Sequence, residues 1–365
     1  MTIAYPEFQP ARCTRFRYRY SRCTRCADAC PHEAIGLSDT GAVLDQSHCR
    51  NCALCITACL AGGWSGAAFK PIDLLRLAIK GKTFSVACAP SGLAADAVVP
   101  CLGDLDGAVL AYLARRRIPV TLHGSGHCGE CEHGGKGAAQ LALNLDARAQ
   151  LCAGGDDGDD KQWADIEVPT AAALPAQRFS PPRRHLFRRL IGRGVDEVAR
   201  AAEPLVAPPP VPEKAIRAGP YVRSEARELL QIVCERQDGK PFPMRWHEAL
   251  PLMQLRLAPG CTACEACFRV CPTGALHIRE NPGDWSLVFQ ADTCVGCQVC
   301  LEVCQPGVLD AEAEFDARPG QPERILHRLG KQRCGRCDRF FVSAEPAATC
   351  AVCSDDEEAF SAIFG

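Results

Sequence analysis

The most constraining feature of this chain is a run of four cysteines spaced C-x2-C-x2-C-x3-C, found at 49–59, 261–271 and 294–304. Three thiolates at this spacing can surround one face of an iron–sulfur cluster, while the fourth reaches a neighbouring cluster. Most of the 26 cysteines stand in CxxC runs. The chain is long, and its first residues, MTIAYPEFQPARC, lack a charged-then-apolar leader. We therefore expect metal or cluster ligation in a reducing compartment rather than disulfides.

Charge and hydropathy argue against several classes of protein. A net charge of −2 gives no global field for binding nucleic acid or an anionic membrane. No apolar run reaches the roughly 18 residues that a membrane helix needs, so we expect a cytoplasmic protein without an integral membrane segment. The basic stretch RRHLFRRL at 183–190, expected to form a short helix, leaves peripheral association with a membrane or an acidic partner open.

The C-terminal block, 261–305, carries two of these runs on either side of a predicted hairpin, ALHIRENPGDWSLVF. It resembles the two-cluster bacterial ferredoxin domain, in which the fourth cysteine of each run binds the cluster of the other run. The resemblance implies two [4Fe-4S] clusters. Two zinc sites are the alternative, although zinc modules seldom need four cysteines in a run. We name these sites C (Cys261, Cys264, Cys267, Cys304) and D (Cys271, Cys294, Cys297, Cys300).

The N-terminal block, 13–60, resembles the same domain but departs from its pattern. Its second run is complete, whereas Tyr20 stands where the first run should have a cysteine. We predict that the segment between Cys13 and Cys23 loops out and that Cys13 supplies the missing ligand. The alternative is a three-cysteine site with a [3Fe-4S] cluster and a free Cys13. The predicted [4Fe-4S] sites are A (Cys13, Cys23, Cys26, Cys59) and B (Cys30, Cys49, Cys52, Cys55).

The tail holds two further CxxC pairs, which we name together the tail site: Cys334, Cys337, Cys350 and Cys353. Two such pairs can close a tetrahedral four-thiolate site, as in a zinc ribbon, and this predicts zinc. A rubredoxin-like iron would use the same ligands, but the segment between the pairs is too short for a rubredoxin core. A further cluster is the third alternative.

The middle region, 71–155, alternates predicted helices and strands, as an open α/β sheet does. Strand TFSVAC ends at Cys88, and strand IPVTLHG precedes the stretch GSGHCGECEHGG. Loops after parallel strands meet at one edge of the sheet, and glycines let the backbone approach a site there closely. A phosphate loop is excluded because Lys136 is followed by Gly137. We therefore predict one cluster at this edge, with zinc or free redox thiols as the alternatives. The predicted ligands, which we name the middle site, are Cys88, Cys101, Cys128 and Cys131.

The layout of residues 86–134 is similar to the small iron–sulfur delta subunit of methyl-viologen-reducing hydrogenases. That resemblance implies a [2Fe-2S] cluster and electron passage between a hydrogenase and a heterodisulfide reductase. The closing pair, CGEC, is spaced more narrowly than in that family. Both [2Fe-2S] and [4Fe-4S] therefore remain open for the middle site.

Together these patterns predict an α+β protein with an α/β insert. The expected units are a two-cluster ferredoxin domain at 1–69, a small α/β domain at 70–155, a linker at 156–220, a helix with a second ferredoxin domain at 221–310, and a zinc-ribbon-like tail at 325–365. The function expected is a multi-cluster electron-transfer subunit, without a catalytic site of its own, that serves a cytoplasmic oxidoreductase. A maturation factor and a redox-responsive interaction protein are the alternatives. The sequence assigns no role to Cys152, and Cys234 is expected to be a buried structural residue.

Overall fold

A computed structural model describes residues 5–66, 70–155, 163–169 and 223–355. The predicted linker, apart from 163–169, lies outside the described residues, and so do its basic stretch and residues 356–365. The helices are α1 Thr14–Arg17, α2 Arg25–Ala29, α3 Leu54–Ala58, α4 Pro71–Ala78, α5 Gly107–Arg115, α6 Gly134–Gly155, α7 Glu225–Cys234, α8 Ala266–Val270 and α9 Val299–Val303.

The strands are short. They are β1 Glu7–Phe8, β2 Ile35–Ser38, β3 Gly41–Leu44, β4 Trp64–Ser65, β5 Phe84–Cys88, β6 Ala97–Val99, β7 Val120–His123, β8 Ile166–Glu167, β9 Pro243–Arg245, β10 Leu255–Leu257, β11 Leu276–Asn281, β12 Asp284–Phe289, β13 Leu309–Ala311, β14 Glu314–Asp316, β15 Arg324–Arg333 and β16 Phe340–Ser343.

The N-terminal block is built from two small antiparallel ladders around its cysteines. Strands β2 and β3 form a hairpin, and β1 pairs with β4 across the whole block. The hairpin turn reaches Gly41, whose φ of +112° is a conformation that favours glycine. A Cβ there would also stand 2.9 Å from the Phe8 ring, which packs against Trp64. These contacts close the block around a small apolar cluster.

The middle region forms a four-stranded parallel sheet in the order β6-β5-β7-β8. Helix α4 begins with Pro71 in its first turn, and α5 begins after Asp106, whose side chain accepts a hydrogen bond from the Val109 backbone N–H. Strand β5 ends at Cys88, and β7 ends just before the glycine-rich stretch. The carboxyl ends of these strands therefore lie at the predicted middle site.

Helix α6 is fixed to this sheet by a buried amide. The side chain of Asn144 is fully buried and donates hydrogen bonds to the carbonyl oxygens of Gly103 and Leu105, at 3.0 and 2.8 Å. These carbonyls belong to the turn after Cys101 and have no strand partner in the sheet. The amide thus ties the long helix to a loop that carries a predicted ligand.

The C-terminal block is larger than a ferredoxin hairpin because the tail extends its sheet. The four strands lie in the order β11-β12-β15-β16, and the tail strand β15 pairs with β12 along most of its length. Paired in this way, β12 has no open edge. The sheet runs on from the block into the tail, and the tail site follows directly after β15.

Helix α7 joins the middle region to the C-terminal block. Its apolar face, which includes Leu230 and Val233, belongs to the largest core cluster, together with the residues of the middle sheet. Cys234 is buried in the same core. The buried side chain of Arg227 donates to the carbonyl oxygens of Ala291 and Asp292 in the C-terminal block. One helix therefore binds both units.

Replacing Asn144 with alanine should destabilise the middle region. The substitution leaves two buried carbonyl groups without a donor, which lowers the free energy of unfolding by about 2–4 kcal/mol. Urea denaturation followed by far-ultraviolet circular dichroism measures this change. Lys136→Ala, at an exposed position of the same helix, is the matched control, and equal stability of the two variants would contradict the role assigned to Asn144.

Candidate iron–sulfur and metal sites

Site C lies at the edge of the C-terminal block. Its four cysteines line one small cavity together with Trp285 and Leu287 of β12. Burial raises the pKa of Cys267 to about 12, and the charges of the other three thiolates contribute to the rise. Cys264 is exposed. The site therefore reaches the protein surface on one side.

Site D is buried within the same block. Burial raises the pKa of Cys300 well above its usual value, and the nearby charges of Cys297, Cys294 and Cys271 raise it further. Cys271 ends the first run of the block but is grouped with the cysteines of the second run. Cys304 shows the reverse exchange, because it lines the cavity of site C. This is the exchange that the spacing predicts.

Site B repeats this arrangement in the N-terminal block. Its four cysteines line one small cavity. Cys30, from the first run, therefore meets the three leading cysteines of the second run. Burial raises the pKa of Cys52 to about 12, and the charges of Cys30 and Cys49 add to this.

Site A includes the cysteine that the pattern leaves out of place. The segment after Cys13 folds into α1, and Tyr20, where the run would have a cysteine, is exposed. Burial raises the pKa of Cys59 to about 12, with contributions from the charges of Cys26, Cys23 and Cys13. The structure thus brings Cys13 to the other three cysteines of the site.

The complete runs share a backbone signature. In each one, the residues just before and just after the second cysteine have a left-handed φ between 52° and 65°. They are Asn51 (54°) and Ala53 (65°), Ala263 (52°) and Glu265 (63°), and Gly296 (63°) and Gln298 (62°). For non-glycine residues this conformation costs roughly 1–2 kcal/mol. It recurs because it curls the loop around its site. In the incomplete run, Thr24 has a φ of −125° instead.

The middle site collects four cysteines from three loops. One small cavity at the carboxyl edge of the sheet is lined by Cys88, Cys101, Cys128 and Cys131. Two glycines give them room: a Cβ on Gly124 would stand 2.9 Å from the Cys88 Sγ, and a Cβ on Gly137 would stand 2.7 Å from the Cys101 Sγ. Close packing against thiols thus explains Gly124 at the start of the glycine-rich stretch and Gly137 just after it, whereas a Cβ on Gly129, Gly134 or Gly135 would meet nothing within 4 Å.

The tail site is much tighter than the others. Its four sulfur atoms all lie within 4.8 Å of one another, and the Sγ atoms of Cys337 and Cys350 are 3.8 Å apart. Four thiolates at the usual Zn–S distance would be separated by about 3.8 Å. Backbone N–H groups lower the pKa of Cys334 to about 6. The arrangement fits one tetrahedral metal ion.

The remaining sites have a different spacing. Within the described residues, no three cysteines of sites A to D or of the middle site lie all within 4.8 Å of one another. A single zinc ion would draw its thiolates to the spacing seen in the tail. The cysteines of the other sites are arranged more widely than those of the tail site.

Buried donors around these sites also fit iron–sulfur clusters. Four side chains at cysteine sites bury nitrogen atoms that have no hydrogen-bond partner in the described part of the chain: Arg17, Trp64, His127 and Trp246. The Trp64 N–H lies beside Cys26, whose pKa is raised by burial and lowered in part by this indole. His127 directly precedes Cys128. Unpartnered buried donors cost about 1–3 kcal/mol each, and cluster sulfurs are acceptors that would remove this cost.

Two histidines that the sequence pattern did not single out as a pair connect site B with the middle site. His32 lines the cavity of site B and His133 lines the cavity of the middle site. Their ring nitrogens are 3.0 Å apart, and both lie within 4.8 Å of the Cys52 sulfur. From the sequence, a surface position is the commoner expectation for His32, with a place near site B as the alternative. Only its placement against His133 on a distant loop shows the contact.

A family profile described as a 4Fe-4S dicluster domain matches residues 260–308. The matched segment contains all eight cysteines of sites C and D. A search of curated proteins finds no match for this chain. The chain therefore contains one recognisable 4Fe-4S dicluster domain and a cysteine cluster near its C-terminus, which together indicate iron–sulfur electron transfer.

The N-terminal block and the middle region lie outside the matched segment, so their relationship to known families remains an expectation from sequence. Separately, no helix in the described ranges combines the length and apolar character needed to cross a membrane.

Replacing Gly124 with alanine should prevent the middle site from binding its cluster. The added Cβ clashes with the Cys88 sulfur, and the φ of +105° is strained for alanine. We expect the iron content to fall by about two to four atoms per chain, the content of one cluster. Gly129→Ala is the control, because a Cβ there meets nothing within 4 Å. Equal iron in the two variants would contradict a cluster at this site.

Replacing Cys350 with serine should release zinc from the tail without affecting iron. The full-length protein is expected to carry one zinc ion, because four thiolates complete its tetrahedral shell and three bind it much more weakly. Elemental analysis by plasma mass spectrometry measures both metals. Iron in place of zinc at this site, seen as an absorption band lost with Cys350, would show a rubredoxin-like centre instead.

Proposed function

We propose that this chain is an electron-transfer protein that relays single electrons through five iron–sulfur clusters. Sites A to D would each hold a [4Fe-4S] cluster, the middle site a [2Fe-2S] or [4Fe-4S] cluster, and the tail site a structural zinc ion. A bound cluster of this kind accepts and donates one electron at a time, at a potential set by burial and hydrogen bonds to its sulfurs. The protein supplies the position and surroundings of each site.

The observation that carries this proposal is that the cysteines of each site lie beside those of the next. Sites C and D share one apolar cluster, in which Cys271 and Cys300 are buried against Cys267. Sites A and B share another, which joins Cys26 to Cys55.

The other two contacts join separate parts of the chain. Cys52 of site B and Cys101 of the middle site are buried in one small cluster with Leu54. Burial raises the pKa of Cys297 in site D, and the charges of Cys271, Cys294 and also Cys23 of site A contribute. Sites D and A are therefore neighbours as well.

These contacts give one linear order: site C, site D, site A, site B and the middle site. Site D, inside the chain of sites, is buried, whereas site C exposes Cys264 at one end. A relay of this kind needs shielded inner sites and accessible end sites, because electrons enter and leave through the ends. We propose that site C is one point of exchange and the middle site the other.

The partner that this arrangement suits is a catalytic subunit of a cytoplasmic oxidoreductase. A linear series of sites with two separate ends can connect a donor at one end with an acceptor at the other. The similarity of the middle region to a hydrogenase delta subunit supports a partner at that end. Stoichiometric copurification with an active catalytic subunit would distinguish this role from maturation, in which iron would pass to an apo-protein client.

The proposed order predicts which magnetic interactions depend on site A. In the fully reduced protein, neighbouring paramagnetic centres broaden one another's electron paramagnetic resonance signals. The double substitution of Cys26 and Cys59 with alanine should remove the centre at site A and sharpen the signals of sites B and D, while site C keeps its coupling to D. The spectra are compared at equal reduction.

A control variant, Cys337→Ala, removes a tail-site ligand and should leave all of these interactions unchanged. Signals of sites B and D that keep their full broadening after loss of site A would contradict the linear order. A different order of the sites would still allow electron transfer through the clusters. The test of the linear order is therefore separate from the test of electron transfer.

A further inference from the structure

The insertion in the N-terminal block contacts the C-terminal block directly. Helix α1, which fills the segment between Cys13 and Cys23, packs against α8. The Nη2 atom of Arg17 donates to the carbonyl oxygens of Arg269 and Cys271, at 2.9 and 3.2 Å. The segment that breaks the ferredoxin pattern is therefore the segment that joins the two blocks.

A third hydrogen bond crosses the same junction. The Arg22 backbone N–H, at the end of the insertion, donates to the Glu302 carboxylate on α9 at 3.3 Å. The insertion therefore contacts both short helices of the C-terminal block, α8 and α9. These helices carry Cys267 and Cys300 and lead to the last cysteine of each run.

Arg17 brings more than these two hydrogen bonds to the junction. Its Nε and Nη1 atoms are buried and have no hydrogen-bond partner in the described ranges. Burial lowers the pKa of this guanidinium, and the Cys271 charge beside it opposes that effect. Arginine nevertheless stays protonated in proteins. A buried cation with two unpartnered N–H donors lowers the stability of the fold unless an anionic acceptor lies next to it.

We propose that Arg17 is a positioning residue that sets the reduction potential of site D from the neighbouring block, by donating its unpartnered N–H groups to sulfur at that site. This inference rests on the proposed cluster at site D. Site D is the natural acceptor, because Cys271 is one of its four cysteines and lies beside the guanidinium.

The direction of the effect follows from charge. Reduction adds one negative charge to site D, and a neighbouring cation that donates hydrogen bonds stabilises the reduced form more than the oxidised form. Arg227 also acts near this site, and it lowers the pKa of Cys294 against the larger effect of burial. Arg227, however, already donates to two backbone carbonyls of the same block. Arg17 is the cation that arrives from the other block.

The test is a redox titration of anaerobically prepared full-length protein, followed by electron paramagnetic resonance. The signal of site D is identified as the one lost in Cys294→Ala. In Arg17→Gln we expect the equilibrium constant for reduction of site D to fall about tenfold, or 59 mV for a one-electron step. In Arg17→Lys, which keeps the charge, the reduction potential of site D should decrease by at most half as much. The potential of site C should change less.

The matched control is Arg19→Gln. Arg19 stands in the same insertion but is exposed and pairs with Asp39 at 3.2 Å. An unchanged potential of site D in Arg17→Gln, with full iron content, would overturn the proposal. Equal shifts in Arg17→Lys and Arg17→Gln would also overturn it, because packing rather than charge would then be responsible. If site D holds no cluster, iron analysis of the unmodified protein shows that first, and the proposed function fails with it.

If Arg17→Gln loses iron, the unmodified protein supplies the test. Arginine carrying an isotopic nitrogen label should give a hyperfine coupling to the reduced centre at site D in pulsed measurements. The part of this coupling that comes from Arg17 should disappear in Arg17→Lys labelled in the same way, while any coupling from Arg227 is common to both proteins. An arginine coupling that is identical in the two proteins, or absent from both, would overturn the proposal.

Discussion

The structure brings twenty cysteine thiols together in five sites, where burial disfavours their ionised, thiolate form. Burial raises the pKa of Cys52, Cys59 and Cys101 to about 12 and raises that of Cys300 well above its usual value. Ligation requires the thiolate form, and gathered thiolates repel one another. An iron–sulfur cluster resolves both problems, because its cationic centre stabilises the thiolates in place. Cluster binding and folding should therefore be coupled throughout the two blocks and the middle region.

The first run of the N-terminal block departs from the C-x2-C-x2-C-x3-C spacing, and the inserted residues connect this block to the C-terminal block. A regular first run would place a cysteine at Tyr20 and leave no segment to reach outside the block. The inserted α1 instead keeps Cys13 at site A and presents Arg17 to the carbonyl oxygen of Cys271. The same insertion thus completes one site and contacts another. Helix α7 provides the second connection, because Arg227 joins it to the loop before Cys294.

Sequence reasoning predicted the features that depend on local spacing. Cys304 lines a cavity with the first run of its block and Cys30 with the second run of its block, as the C-x2-C-x2-C-x3-C spacing predicts, whereas the cluster content of every site stays a prediction. Strands β5 and β7 also lie within the predicted strands TFSVAC and IPVTLHG. The long helix α6, Gly134–Gly155, includes Cys152, to which the sequence assigned no role.

Features that depend on docking between distant segments were not predictable in this way. Nothing near Arg17 indicates a contact with Cys271, and nothing near His133 indicates His32. Strand β15 joins the sheet of the C-terminal block, which the sequence treated as a unit separate from the tail. Each of these contacts is made between residues far apart in the chain. Each is selected by the shape and charge of the partner surface, which a periodicity within one segment does not encode.

The most direct test of this account is the metal content of the full-length protein isolated without oxygen. Five loaded sites predict about 18 to 20 iron atoms per chain, with a matching amount of acid-labile sulfide, in addition to the single zinc ion of the tail. This value requires the N-terminal block and the middle site to bind clusters as the C-terminal block does. A value near eight iron atoms, the content of sites C and D alone, would contradict the five-site relay and reduce the protein to a single two-cluster domain.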